Sequence, residues 1–186
     1  MDIYKSCPII ENTDYLFRRT SQEDCADLLK VYSDKEAVPF FNSDNCHGDD
    51  FCYTTAERMM QAIDFWEFSY KNGYFVRFSI IDKKTGTAVG TIEIFNRTAD
   101  DHFTNCGLLR LDLVSGYEKQ DRIAGILSPI IEPIFQWFGC DKIATKAITA
   151  AKERIKALVS LGFALSQEKL IGEYAEYDNY YVKNLV

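Results

Sequence analysis

The sequence predicts one α+β domain, built on a single mixed and mostly antiparallel sheet that carries helices on both faces. Its 186 residues suit one domain with a sizeable core, so residues 1–186 are assigned to a single unit. Segments with apolar residues at helical spacing alternate with short runs rich in β-branched and aromatic residues. Three of these runs follow one another with only turns between them, which predicts antiparallel neighbours.

The N-terminal part is predicted to supply one strand and one helix. Residues 1–13 are expected to form an extended arm that precedes a strand at 15–19. A helix begins near Ser21, which has Asp24 three positions later, and ends near residue 34. Residues 37–53 lack periodicity and are polar, acidic and rich in turn formers, so they predict a long loop. Such a loop either contributes to function or is a surface loop without a functional role.

A second helix is predicted from Thr54 to Lys71, opened by a capping box between Thr54 and Glu57. Its wide apolar face is assigned to the core rather than to a ligand. That face comprises Met59, Met60, Ile63, Phe65, Trp66, Phe68 and Tyr70.

The rest of the chain is predicted to complete the sheet. Strands are expected at residues 74–82, 87–96 and 104–114, followed by a helical region at 121–138. Because Pro129 and Pro133 fall inside that region, the less costly arrangement makes Ser128 an N-cap and Pro129 the first helical residue. A strand at 142–147, a helix at 150–161 that Gly162 caps, and a last strand at 177–184 follow.

Composition excludes several classes of function. The net charge of −7 argues against a nucleic-acid partner, which requires a basic surface. No apolar run approaches a membrane span and the N-terminus lacks a signal-peptide pattern, so a cytoplasmic location is expected. Among the six cysteines, Cys46 and Cys52 flank His47 in the one local cluster of metal-ligand types. A fourth ligand is not evident, which predicts no metal site and reduced thiols.

The segment around residues 115–122 predicts an anion site. A strand-like run ends at Val114, and a polar loop leads into an apolar helix. A loop of unpaired main-chain N–H groups before a helix start binds phosphate groups without a metal.

In element order and in several short motifs, residues 14–186 resemble the GNAT superfamily of N-acetyltransferases. The motifs are Gly90-Thr91-Ile92 before the cofactor strand, Leu161-Gly162-Phe163 after the last helix, and Asp178-Asn179-Tyr180-Tyr181 near the end. The resemblance is greatest to the branch that acts on ribosomal-protein N-termini. It implies acetyl-CoA as cosubstrate and a primary amine, in a small molecule or at a peptide N-terminus, as acceptor. It implies neither a nucleic-acid nor a membrane partner, and it leaves a homodimer open.

The resemblance also implies which residues hold the cofactor. The exposed main chain of the cofactor strand, at Leu111, Leu113 and Val114, would pair with the pantetheine amides. The diphosphate loop of the family, Gln/Arg-x-x-Gly-x-Gly/Ala, aligns best with residues 119–124 and alternatively with 120–125. The first register puts Arg122 at the central glycine and the second puts Ile123 there. The residues so implied are Lys119, Gln120, Arg122, Ile123, Ala124 and Gly125.

For catalysis, the resemblance implies a general base on the strand next to the cofactor strand, where Glu93 lies. Alternation makes Glu93 face away from its apolar neighbours, and a solvent-facing glutamate is the favoured alternative. His47 is a second candidate base. Leu158 occupies the position where the family usually has a tyrosine as general acid. The candidates to replace that acid are Tyr117 in the loop and Tyr180 or Tyr181 in the last strand.

Two further alternatives stay open. The first is a catalytically inactive domain of the same fold that binds a partner or metabolite, which is favoured by Arg122, Leu158 and Ala151. Ala151 stands where the family commonly has an asparagine. The second is an acyltransferase for a longer acyl donor, which would differ from an acetyltransferase only in the depth of its acyl pocket. The acidic loop with Asp44, Asp49 and Asp50 either favours a cationic amine or is a solvated turn.

Overall fold

The computed structural model describes residues 2–185. Its strands are β1 (Ile10–Glu11), β2 (Tyr15–Arg19), β3 (Val76–Asp82), β4 (Thr87–Arg97), β5 (Cys106–Leu113), β6 (Lys142–Lys146), β7 (Ala164–Leu165), β8 (Leu170–Ile171), β9 (Glu176–Tyr177) and β10 (Tyr180–Asn184). Its helices are α1 (Cys25–Tyr32), α2 (Ala56–Lys71), α3 (Gln120–Phe138) and α4 (Lys152–Ser160). Short 3-10 turns lie at Gln22–Asp24, Val38–Phe40 and Ser115–Tyr117.

The predicted fold class is confirmed. An eight-stranded sheet has the order β1-β2-β3-β4-β5-β6-β10-β7, and β8 and β9 form a separate pair. Within the described residues, β5 and β6 are the strands that pair in parallel, and the other paired strands are antiparallel. None of the described helices is long and apolar enough to cross a membrane.

Alternation along the strands divides the core between the two faces of the sheet. On β3, Phe78 and Ile80 pack with the apolar side of α3, in the same cluster as Leu158 of α4. Ile81 points to the other face and packs with residues of α1 and α2. Helices therefore cover both faces, as the sequence predicts.

The parallel pair of strands is short and leaves a gap in the sheet. Its register runs from Cys106 opposite Lys142 to Leu109 opposite Thr145, whereas β5 continues to Leu113. Beyond Leu109, no strand of residues 2–185 pairs with the edge of β5 that faces β6. This gap, between residues 110–113 and the chain that follows β6, is called the β5–β6 cleft below.

The predicted helical region at 121–138 is confirmed, but the expected late start at Pro129 is wrong, because α3 is continuous from Gln120 to Phe138. Pro129 has no N–H to donate to the carbonyl of Gly125, four residues earlier. The side-chain amide of Asn12 donates to that carbonyl instead, at 2.9 Å. A contact from the N-terminal segment thus satisfies the group that the proline leaves unpaired.

Three smaller predictions are also corrected. The hydroxyl of Thr55, rather than Thr54, caps α2 by accepting the main-chain N–H of Arg58 at 3.2 Å. The apolar face of α2 is only partly core: Met59, Ile63, Trp66 and Tyr70 are buried, whereas Met60, Phe65 and Phe68 are exposed. The N-terminal segment is not a free arm, since Ile3 is buried and its carbonyl accepts the hydroxyl of Tyr70 at 2.9 Å.

Candidate active site

The β5–β6 cleft contains a buried guanidinium. Arg154 of α4 is 2 % exposed and donates through Nη1 to the main-chain carbonyl of Leu111, at 2.9 Å. The same nitrogen lies 3.0 Å from the carbonyl of Phe40, in the loop between α1 and α2. Its Nη2 forms an ion pair with Glu118, in the loop before α3. A cavity of about 140 Å³ remains beside this pair, lined by both partners, Phe40 and the start of α4.

The loop before α3 presents its main-chain N–H groups unevenly. The N–H of Ser115 donates to Asp34 Oδ2 at 2.8 Å, and that of Gln120 to Glu153 Oε2 at 3.2 Å. For Asp121 and Arg122, in the first helical turn, no acceptor is found among residues 2–185. Two donors are therefore occupied by carboxylates and two are free at the positive end of α3.

The sequence-predicted cofactor residues occupy different environments. Lys119 is the N-cap of α3, and Arg122 folds back so that its Nη1 donates to the carbonyl of Gly116 at 3.1 Å. The Ile123 side chain is fully buried and its N–H is bonded to the carbonyl of Lys119. Ala124 and Gly125 lie farther along the helix. The two residues that the two registers put at the glycine position thus differ: the N–H of Ile123 is bonded, and that of Arg122 has no acceptor among residues 2–185.

The expectation that Glu93 faces solvent is wrong. Glu93 is 2 % exposed because α2 and the loop at 41–53 cover that face of the sheet. Its carboxylate oxygens accept Arg77 Nη2 and Arg110 Nη1, each at 2.5 Å. Burial alone would raise the pKa of Glu93, but the two guanidinium groups more than offset it and lower that pKa. Glu93 is thus an ionised, fully engaged carboxylate rather than a free base.

Sequence reasoning missed the buried polar network around this ion pair. The Tyr32 hydroxyl accepts Arg77 Nη1 at 2.6 Å and donates to Asp112 Oδ2 at 2.8 Å, while Thr91 lies beside both. The other oxygen of Asp112 has no partner in residues 2–185, and burial raises the pKa of this carboxyl group. A sequence signal existed, because Arg77, Glu93 and Arg110 are charged residues within apolar strands and are cross-strand neighbours.

Above this network lies a cavity of about 280 Å³, called the aromatic pocket here. Its apolar lining consists of Phe51, Tyr53, Ala62, Phe65, Trp66 and Phe75. Arg77, Glu93 and Arg110 form its charged floor, and Asn45, Cys46, His47, Asp49 and Arg58 lie at the remaining wall. Arg110 is the first residue of β5 beyond the last β5–β6 pair, so the floor of the pocket adjoins the start of the cleft.

The acidic loop at the pocket is largely neutralised. Asp44 accepts Lys146 Nζ at 2.6 Å, and Asp49 accepts Arg58 Nη2 at 2.6 Å. Asp50 remains exposed. The paired charges contradict an acidic wall that attracts cationic amines.

The candidate acids and the second candidate base are separated in space. The Tyr117 hydroxyl donates to Asp82 at the end of β3, and burial raises the pKa of Tyr117 to about 12. The Tyr180 hydroxyl lies 3.1 Å from Asp44 Oδ2, and burial raises the pKa of Tyr180 as well. His47 is an exposed residue of the pocket wall, whereas Leu158 is buried in the core.

No metal centre is formed in residues 2–185, which contain no group of three or more His, Cys, Asp and Glu side chains placed to hold an ion. The six cysteines are free thiols.

Comparisons with known proteins show the fold. No family model and no curated protein matches the chain. Among solved structures, a ribosomal-protein-S5-alanine acetyltransferase from Vibrio fischeri is 18% identical with a TM-score of 0.71, over 95% of this chain and 96% of that one. RimL, a ribosomal L7/L12 alpha-N-protein acetyltransferase in complex with coenzyme A, is 12% identical with a TM-score of 0.71, over 96% and 98%.

A third similar structure is an acetyltransferase of the GNAT family from Bacillus anthracis. It is 12% identical to this chain with a TM-score of 0.66, over 94% of this chain and 96% of that one. The chain therefore has the GNAT acetyltransferase fold over nearly its whole length.

Proposed function

We propose that this protein is an acetyl-CoA-dependent N-acetyltransferase that acts on a primary amine, in a small molecule or at a peptide N-terminus. The observation that carries the proposal is the β5–β6 cleft, which has the free N–H groups of α3 at one end and the aromatic pocket at the other. Solved structures of the same fold include acetyltransferases of ribosomal-protein N-termini. A cytoplasmic location belongs to the same proposal.

The cofactor would be held by main chain and by charge. The carbonyl of Leu111 faces the cleft and already takes a guanidinium donor, so it is an acceptor that a pantetheine amide can use. Leu113, the last residue of β5, continues this edge. Val114, which the resemblance also implies, does not, because its N–H donates to the carbonyl of Val89 in β4 and its carbonyl accepts the N–H of Tyr117. The free N–H groups of Asp121 and Arg122, with the cations of Lys119 and Arg122, suit a diphosphate.

Amine acetylation requires a neutral amine, a polarised thioester and a proton for the departing thiolate. In this proposal Glu93 contributes fixed negative charge between two guanidinium groups, and the amine gives up its protons to bulk solvent because both oxygens of Glu93 are engaged. The raised pKa of Tyr180 keeps its hydroxyl protonated, and Tyr180 pairs with Lys146, next to the last β5–β6 pair. The hydroxyls of Tyr180 and Tyr117 each donate to a carboxylate, Asp44 and Asp82 respectively, so Tyr180 is preferred for its position beside the last β5–β6 pair.

One observation favours the alternative of an inactive binding domain of the same fold. Arg154 occupies the main-chain acceptor that the cofactor would use, and its ion pair with Glu118 is almost fully buried. A cleft filled permanently by this pair would exclude pantetheine.

Calorimetric titration with acetyl-CoA and with CoA tests the proposal directly. We expect both to bind, and we expect release of free thiol from acetyl-CoA when an accepted amine is added. Absence of heat at millimolar concentrations of both would refute cofactor binding. Binding without acetylation of any amine in a broad panel would instead support the inactive domain.

A further inference from the structure

The aromatic pocket has the size of a site for one small group. Its volume of about 280 Å³ is just under the ~300–1,000 Å³ typical of small-molecule sites, and its lining is mostly apolar. It accommodates a group of side-chain size rather than an extended ligand.

Several aromatic rings of this pocket already have a guanidinium group over one face. A guanidinium already lies over Trp66, with the Arg77 Cζ atom 4.1 Å from the ring centroid. The Arg58 Cζ atom lies 4.3 Å from the centroid of Tyr53. The protein itself thus supplies the cation–π partners of Trp66 and Tyr53, which would otherwise help to draw an ammonium group into the pocket.

The charged groups of the lining favour an anion. Three guanidinium groups (Arg58, Arg77 and Arg110) and two carboxylates (Asp49 and Glu93) line the pocket, and the buried carboxyl group of Asp112 lies 3.2 Å from Arg77 Nη1. The preference for an anion therefore comes from the unpaired N–H groups of the arginines rather than from a net charge. Arg58 is the accessible one of the three: its side chain is 42% exposed and only Nη2 is bonded, to Asp49. The Nε–H groups of Arg77 and Arg110 are buried without an acceptor in residues 2–185.

We propose that the aromatic pocket binds a small apolar or aromatic group that bears a carboxylate, with Arg58 contacting the carboxylate at the mouth. This inference deepens the proposed function and rests on it for the role of the ligand. The acceptor is then an amine that also carries an apolar body and a carboxylate, and cationic amines without an acid group are poor acceptors.

The test uses the full chain without cofactor and two probes of the same apolar body and opposite charge. We titrate 3-phenylpropionate and 3-phenylpropylamine and follow heat and the fluorescence of Trp66, in a Trp137→Phe background that removes the second tryptophan. The acid is expected to bind and to change the emission of Trp66, and the amine to bind at least about tenfold more weakly. Equal or tighter binding of the amine overturns the proposal.

Matched variants on α2 locate the acid group. Arg58→Gln is expected to weaken binding of 3-phenylpropionate about tenfold, the size expected for one hydrogen bond to a charged group. Lys71→Gln removes the same charge from an exposed site on α2 and is expected to leave affinity unchanged. Equal effects of the two variants overturn the assignment to Arg58. Should Arg58→Gln fail to fold, Phe65→Ala, at an exposed residue of the wall, provides the second test: unchanged affinity for the acid overturns the pocket assignment.

The two proposals fail separately. If the chain binds 3-phenylpropionate but shows no heat with acetyl-CoA or CoA, the proposed acetyltransferase function is refuted and the proposed ligand of the pocket is not. If the chain acetylates cationic amines but does not bind 3-phenylpropionate, the proposed ligand of the pocket is refuted and the proposed acetyltransferase function is not.

Discussion

The guanidinium of Arg154 donates to the main-chain carbonyl of Leu111 at 2.9 Å, inside the gap where β5 and β6 separate. One side chain thereby joins α4 to β5 and, through the carbonyl of Phe40, to the loop between α1 and α2. The carbonyl oxygen of Leu111 has two lone pairs, and the guanidinium occupies the side that faces the cleft, where a cofactor amide would also bind. In the proposed cofactor complex we therefore expect Arg154 to move aside, which also removes its contact with Phe40 in the loop between α1 and α2.

We predict that Arg154→Met makes cofactor binding tighter by about tenfold or more, because Leu111 no longer has a competing donor. The free energy of unfolding is expected to fall by about 3 kcal/mol, since Glu118 loses its buried partner. Calorimetry with CoA and urea unfolding measure the two effects.

Lys156→Met serves as the matched control, because Lys156 is an exposed residue of α4 outside the cleft. Adding Glu118→Gln to Arg154→Met should recover part of the lost stability, since the unpaired carboxylate is removed. Unchanged CoA affinity in Arg154→Met would mean that the guanidinium does not obstruct the cleft.

Because Glu93 lies in a buried ion pair, we predict that the free energy of unfolding depends on the ionisation of Glu93 at acid pH. Its pKa is lowered in the fold from an ordinary 4.5, so its stabilising effect is complete above pH 4.5 and is lost as the pH falls through the folded-state value. Glu93→Gln is expected to lose about 3 kcal/mol at pH 7, because Arg77 and Arg110 lose a buried partner.

The difference in unfolding free energy between wild type and Glu93→Gln should shrink steadily below pH 4.5, as measured by urea unfolding across the pH range. Glu36→Gln, at an exposed residue, is expected to follow the wild type throughout. A difference that stays constant down to pH 2 would contradict the lowered pKa.

Local sequence signals predict the elements of this fold well. Turns and apolar spacing are properties of neighbouring residues, so the antiparallel run of β3, β4 and β5 and the four helices follow from them. The buried position of Glu93 does not, because alternation tells which residues share a face but not that a loop covers that face.

The features that decide the site come from residues far apart in the chain. Arg154 and Leu111 are 43 positions apart, and Asn12 and Gly125 are 113 apart. Neither contact leaves a periodic or motif signal near its partner. The sequence therefore predicts where the cleft lies but not what fills it, and it predicts a break in α3 that a distant side chain prevents.

The Asn12 contact can be tested by a double-mutant cycle. Asn12→Asp keeps the oxygen that accepts the main-chain N–H of Tyr15 at 2.8 Å but replaces the donor to Gly125 with an acceptor. We expect a loss of about 1–3 kcal/mol in the free energy of unfolding, because the Gly125 carbonyl is left unpaired.

Pro129→Ala restores a helical N–H for that carbonyl, so it should recover most of the loss in the Asn12→Asp background. Pro133→Ala is the control, since its effect should be the same with and without Asn12→Asp. Identical effects of Pro129→Ala in both backgrounds would disprove the coupling.

The last prediction concerns Gly90, where β4 approaches β5 most closely. A Cβ atom there would lie 2.2 Å from the main-chain oxygen of Asp112 and 2.8 Å from Leu113 Cδ2, which forces the strands apart. Gly90→Ala should therefore reduce the free energy of unfolding by about 2–3 kcal/mol and displace the Leu111–Leu113 edge of the cleft, so that CoA binding weakens as well.

Gly116→Ala is the matched control, because a Cβ atom at Gly116 meets nothing within 4 Å. Its effect on unfolding should stay within about 0.5 kcal/mol, as for an ordinary surface substitution. Since Gly90 touches β5 through main chain, a neighbouring side chain cannot relieve the clash by changing rotamer. If Gly90→Ala unfolds in urea with the same free energy as the wild type, then β4 and β5 do not approach each other this closely at Gly90.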